Sequence, residues 1–268
     1  MKQSIIKLKS IFHERDHVVL DHLDWTVEEG ENWIVMGANG CGKSSLMHMI
    51  TGYLYPTRGE IKVLEGYVDD LNGWPDRRLH IAVVSSYIAK LIEEDQYAGD
   101  VVLTGCDGSL NFWKDAEPED VEKTRKVLTQ IDAWDLCDRE WGVLSQGERQ
   151  KILIGRAIMN EAKIIVLDEP CAGLDPVARE HFLQFLERVM RENPSLTVIM
   201  VTHHVEEIMP SFNKILMIKD GKATFCGEVK EVLHSNALSE VFGAEVSLEK
   251  SGDNRYYSRV LPDSSKVF

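Results

Sequence analysis

Short apolar runs alternate along most of the chain with stretches of helical period. "NWIVMG" at 32–37 is nearly all apolar and predicts a buried strand, and "KSSLMHMI" at 43–50 predicts the helix after it, stopped by Gly52. "HIAVV" at 80–84 predicts another strand. "KIIVL" at 163–167 and "LTVIMV" at 196–201 predict strands covered on both faces. Alternation of this kind marks an α/β domain with a largely parallel sheet.

The middle of the chain reads differently. From about 87 to 159 no run has convincing strand character. "PEDVEKTRKVLTQI" at 118–131 sets Val121, Thr124, Leu128 and Ile131 on one helical face. A helical insert within the α/β core is therefore expected. Further on, "KILMIKDGKATFC" predicts a hairpin turning at Asp220 and Gly221, and "EVSLEKSGDNRYYSRV" another turning near Gly252.

Composition narrows the possible partners. With 268 residues, 44% of them hydrophobic, the chain can bury one or two compact cores. Asp plus Glu outnumber Lys plus Arg by 44 to 30, and the net charge of −14 argues against nucleic acid as the main partner. No apolar run approaches the ~20 residues of a membrane-spanning helix. "MKQSIIKLKS" is basic but lacks the apolar centre of a signal peptide, so a cytoplasmic chain is expected. Cys41, Cys106, Cys137, Cys171 and Cys226 form no pair at metal-ligand spacing, which suits a reducing compartment.

The chemistry begins at "GANGCGKSS", residues 37–45, which matches G-x-x-x-x-G-K-S/T between a predicted strand and helix. Gly37, Gly40 and Gly42 let successive backbone N–H groups of Ala38, Asn39, Cys41 and Ser45 turn inward around a phosphate. Lys43 can reach the β- and γ-phosphates, and Ser44 offers a hydroxyl to Mg²⁺. A ligand-free glycine turn is the plainer alternative, but the full pattern in this context points to a nucleoside triphosphate. "IIVLDEP" ends a buried strand with Asp168 and Glu169. Asp168 suits the Mg²⁺ shell, and Glu169 suits a base that orients or deprotonates the attacking water. "IMVTHHVEEI" places His203 at the end of another core strand, where it could fix the γ-phosphate and that water.

"VLSQGERQ" holds a second anion site. Ser145 and Glu148 fit a capping box, which explains why a helix starts there. It does not explain Gly147, which costs about 1 kcal/mol in a helix relative to Ala. A glycine there leaves N–H groups bare at the positive end of a helix dipole. The phosphate loop about a hundred residues earlier already serves this chain's own ligand, so this second site is either redundant or meant for a phosphate on another molecule.

In this order the motifs resemble those of the ATP-binding-cassette ATPases, the nucleotide-binding subunits of ABC transporters. The phosphate loop is at 37–44, a signature "LSQGE" at Leu144, Ser145, Gln146, Gly147 and Glu148, "VLDEP" at 166–170, "AGLD" at 172–175 and "VTH" at 201–203. The resemblance implies an α/β P-loop NTPase fold: a RecA-like core with an antiparallel β subdomain and an inserted helical subdomain. It puts the core with its N-terminal β subdomain in 1–86 and 157–222, the helical subdomain in 87–156 and a C-terminal extension in 223–268. It further implies ATP and Mg²⁺ as cofactors and a head-to-tail homodimer in which each signature meets the other chain's ATP. Asp175 would then couple the two sites. Within the family the motifs look most like molybdate-type and poorly characterised single-cassette proteins.

Three departures from the family pattern stand out. Ser86 stands where the family usually has a Gln near Mg²⁺ and the permease. Gln146 and Glu148 replace the commoner Gly and Gln of the signature. The adenine-stacking aromatic of the first hairpin is not obvious, with Phe12 the candidate and His13 or His17 alternatives. The expected function is an ATP-hydrolysing subunit that powers a separate membrane permease docked near 86–107. A homodimeric ATPase with a regulatory or assembly role and no membrane partner is the alternative.

Overall fold

The computed structural model describes residues 3–70, 73–110 and 116–261. The first elements are β1 (Ser4–Glu14), β2 (Val18–Glu28), β3 (Trp33–Gly37), α1 (Lys43–Ile50), β4 (Arg58–Val63), β5 (Gly66–Tyr67) and α2 (Trp74–Leu79). Then come β6 (Ile81–Ser85), α3 (Ser86–Ala89), α4 (Ala98–Leu103), α5 (Pro118–Gln130), α6 (Gln146–Met159), β7 (Ile164–Asp168) and α7 (Pro176–Glu192). The chain closes with β8 (Thr197–Val201), β9 (Lys214–Lys219), β10 (Lys222–Glu228), α8 (Val229–Val232), α9 (Ser235–Phe242), β11 (Val246–Lys250) and β12 (Tyr256–Val260). Two compact units result, Met1–Trp74 with Thr197–Phe268, and Pro75–Leu196.

In the first unit β3 lies between β8 and β9, parallel to both, and β10 turns back on β9 through the tight turn at Asp220 and Gly221. β3 and β8 are buried along their whole length, as strands covered on both faces must be. A second sheet, antiparallel, runs β2-β1-β4-β5. Its long pair β1–β2 buries one face through Leu8, Ile11, Leu20, Leu23, Trp25 and Val27. The spacing from Leu8 to Ile11 and from Leu20 to Leu23 breaks strict alternation. Register shifts at these points, with Ser10 and His22 in left-handed backbone, restore the apolar residues to one face. The predicted second hairpin forms as β11–β12.

In the second unit β6 and β7 pair in parallel, from Ile81 opposite Ile164 to Ser85 opposite Asp168. Helices α4, α5 and α6 pack together. A methyl group on Gly155 of α6 would come within 2.6 Å of Ile131 Cδ1, so a larger residue there would displace the Ile131 side chain at the end of α5. The predicted face of α5 needs one correction: Val121 is exposed, and Val127 takes its place beside Thr124 and Leu128. The helix meets its neighbours near Val127 and Ile131, and Val121 lies toward the other end. Strands β6 and β7 and helix α7 group with the helices, because α6 packs on β6. Among the described residues no helix is long and apolar enough to cross a membrane.

Candidate functional site: two sets of phosphate-handling residues

The first unit presents the phosphate loop at the end of β3. Gly37 closes the strand where a Cβ would stand 2.3 Å from the Ile218 carbonyl oxygen of β9, so no side chain fits. Gly42 begins α1 in left-handed backbone (φ 105°), with a would-be Cβ 2.7 Å from Leu20 of β2. Between them Asn39 and Gly40 are exposed, Ala38 is half-buried, and Cys41 turns inward, its amide donating to the Ala38 carbonyl at 3.3 Å. Burial pushes the Cys41 thiol above its ordinary pKa. Lys43 is buried and donates to the carbonyls of Gly37 (2.8 Å) and Ala38 (3.0 Å), so its ammonium lies along the inside of the loop. Ser44 is exposed in the first turn of α1 and Ser45 half-buried.

His203 belongs to the same unit. β3 and β8 are in parallel register, Val35 opposite Val201, so the phosphate loop and His203 leave neighbouring strands at the same end. The Thr202 amide donates to the Val35 carbonyl (3.2 Å), and the exposed His203 ring lies 4.1 Å from that of His204.

The three stacking candidates differ. Phe12 is half-buried, with the Arg58 guanidinium 5.9 Å from its ring centroid and the His22 ring at 5.3 Å. His13 is buried, its imidazole pKa lowered by desolvation and then by Arg15, and it offers no open face. His17 is the exposed ring of the three.

The second unit carries the carboxylates and the signature. Asp168 ends β7 directly opposite Ser85. The neighbour of Asp168 is thus Ser85 rather than Ser86. Ser85 caps α3, its hydroxyl accepting from the Ile88 amide at 3.2 Å, while Ser86 is exposed one residue further on. Strand register, not motif spacing, reveals Ser85. Glu169 follows in left-handed backbone (φ 48°), a strained conformation for a residue with a side chain.

The start of α6 forms the expected capping box. The Ser145 hydroxyl accepts from the Glu148 amide (3.4 Å), and the Glu148 carboxylate accepts from the Ser145 amide (2.7 Å). Burial works to raise the Glu148 pKa, but the Ser145 hydrogen bonds and the Arg139 guanidinium at 2.8 Å outweigh it and hold the carboxyl below its ordinary value. Leu144 is buried ahead of the cap. Gln146 explains its own departure from the commoner glycine: its amide donates to the Ala172 carbonyl, and Gln150 one turn on donates to that of Pro170. These two glutamines tie the signature helix to the segment after Asp168 and Glu169, a link that the motif pattern does not show. A side chain would fit at Gly147, the nearest atom to a would-be Cβ being Leu174 Cδ2 at an ordinary contact distance of 3.9 Å. Asp175 has a local duty. Its carboxylate accepts from the amides of Val177 (2.8 Å) and Ala178 (3.0 Å) and caps the 17-residue α7.

Residues 20–172 match the family model described as "ABC transporter". An uncharacterized ABC transporter ATP-binding protein of Bacillus subtilis (strain 168), YlmA, is 34% identical over 244 residues, 91% of this chain and 92% of its own. An uncharacterized ABC transporter ATP-binding protein of Lactococcus lactis subsp. lactis, YmeB, is 33% identical over 261 residues, 97% of this chain and 99% of its own. Among solved structures, cbiO1 of Clostridium perfringens, described as part of the ABC transporter complex cbiONQ, superposes with a TM-score of 0.77 at 24% identity. It covers 89% of this chain and 94% of that one. With the phosphate loop, carboxylates and signature in place on this fold, the chain belongs to the ABC transporter family and is one of its ATP-hydrolysing cassettes.

Proposed function

We propose that the chain binds MgATP, closes head-to-tail on a second copy around two ATP molecules, and uses their hydrolysis to drive a separate membrane permease. The phosphate loop carries this reading: two glycines that admit no side chain, and a buried lysine whose ammonium lies inside the loop. The loop N–H groups and Lys43 hold the β- and γ-phosphates. Ser44 and Asp168 offer hard oxygen donors that fit Mg²⁺, which when bound neutralises charge on the phosphate oxygens. Glu169 takes a proton from the water that attacks the γ-phosphorus as the bond to the β-phosphate oxygen breaks, and His203 holds that water and the γ-phosphate in line. Ser145 and Gly147 serve the partner copy's ATP. The room for a side chain at Gly147 supports this, since nothing in its own chain needs a glycine there.

The permease would dock on the helical part near 86–107, where Tyr87, Leu91 and Tyr97 are exposed. The cbiO1 relative, described as part of a transporter complex, supports a membrane partner. The cargo belongs to that partner, and the likeness to molybdate-type cassettes does not identify it.

Glu169→Gln tests the mechanism. It should abolish phosphate release while ATP with Mg²⁺ shifts the chain to a dimer in size-exclusion chromatography. Turnover at the wild-type rate would remove Glu169 as the base.

A further inference from the structure

The C-terminal hairpin β11–β12 lies outside every motif of the family pattern, yet it grips the segment that carries His203. That segment, 202–207, links β8 to a short turn and has no strand ladder of its own. On its inner side the Thr202 hydroxyl donates to the buried carboxylate of Glu207 (2.6 Å) and accepts from the His204 amide (3.0 Å). On its outer side the hairpin supplies the contacts. Arg255 donates from Nη2 to the Glu206 carbonyl oxygen at 2.6 Å, and the Glu206 carboxylate accepts from the Ser258 amide (3.2 Å) and hydroxyl (3.4 Å).

The backbone at Arg255 is itself held firmly. Its amide donates to the Asp253 carboxylate (3.2 Å), its carbonyl accepts from the Ser251 amide (2.9 Å), and the Ser251 hydroxyl bonds Asp253. Directly after it, Tyr256 pairs with Lys250 in the ladder. A stiff hairpin thus places a charged donor on one backbone carbonyl, three residues from His203. Bonds to a charged group are stronger than neutral ones, and a reacting group must be held to a fraction of an ångström to work well.

We propose that Arg255 and Ser258 are positioning residues for His203, fixing the 202–207 segment where the histidine meets the γ-phosphate. The proposal rests on the role given to His203 above. Held from both sides, the segment keeps one conformation through binding and hydrolysis; released on the hairpin side, it moves and His203 loses its aim. ATP binding, which depends on the phosphate loop, is untouched.

Steady-state hydrolysis by the purified full chain tests this. Arg255→Ala should lower kcat about tenfold with KM for ATP within about twofold, the signature of an interaction used in the transition state. Arg255→Lys keeps a charged donor and should recover most of the loss, which a merely structural role would not predict. If Arg255→Ala does not fold by circular dichroism, the Ser258 contact gives a separate test: Glu206→Ala removes the side-chain acceptor for Ser258 and should lower kcat, while Glu206→Gln keeps an acceptor oxygen and should keep it. Wild-type kcat in Arg255→Ala, while His203→Ala is inactive, overturns the positioning role and leaves the proposed function intact. Equal losses in Arg255→Ala and Arg255→Lys overturn it too. Wild-type turnover by His203→Ala removes the role of His203 itself, and this inference with it.

Discussion

Two glycines carry opposite messages. Gly37 is required by its own chain, because the Ile218 carbonyl occupies the space of a side chain. Gly147 is not, since a methyl group there would meet nothing nearer than 3.9 Å. Substitution at each should therefore separate folding from function. Gly37→Ala should destabilise the fold by about 2 kcal/mol, measured as a shift in the urea midpoint. Gly147→Asp should leave the midpoint unchanged or raise it slightly, because a carboxylate suits the first turn of a helix. It should still cut ATP hydrolysis on the order of a hundredfold by setting a negative charge against the incoming phosphate. A loss of stability equal to the loss of activity would make Gly147 a structural residue only.

Helix starts show how a motif can hold two jobs. The Ser145–Glu148 box caps α6, so Ser145→Ala should cost about 1 kcal/mol of stability before any nucleotide is present. Its contribution depends on pH. The Glu148 carboxyl is held below its ordinary value in the fold, so the stability it brings is present above the unfolded glutamate range and is lost as pH falls through the folded pKa. The difference in urea midpoint between wild type and Ser145→Ala should narrow below that range.

Asp175 divides in the same way. Asp175→Ala should cost about 1 kcal/mol through the lost cap of α7, while Asp175→Asn keeps an acceptor and most of that stability. If Asp175 also couples the two ATP sites, the Asn variant should show the defect in cooperative hydrolysis without the thermal one.

Legibility followed period. β3, β7 and β8 are continuous apolar runs bounded by the phosphate loop, the carboxylates and His203, and their lengths read directly from the chain. β1 and β2 carry the antiparallel sheet, but the shifts near Ser10 and His22 each insert a residue, so alternation fails just where those strands are longest. The approach of Ser85 to Asp168 and the glutamine ties from α6 depend on register and on helix placement, which no local spacing encodes.

At the scale of the molecule, each copy presents a phosphate loop with His203 in one unit and a signature with its own open glycine in the other. In the proposed head-to-tail dimer these are halves of two sites, completed only between copies. Mixing two inactive chains asks this directly. Lys43→Ala removes the phosphate-loop ammonium, and Ser145→Arg fills the signature, so neither homodimer should hydrolyse ATP. In their heterodimer one site combines an intact loop from one chain with an intact signature from the other, and its opposite site carries both lesions. Each variant alone should be inactive, and an equimolar mixture should regain a measurable fraction of wild-type hydrolysis. No recovery on mixing, with heterodimers present by size and tag pull-down, would contradict it.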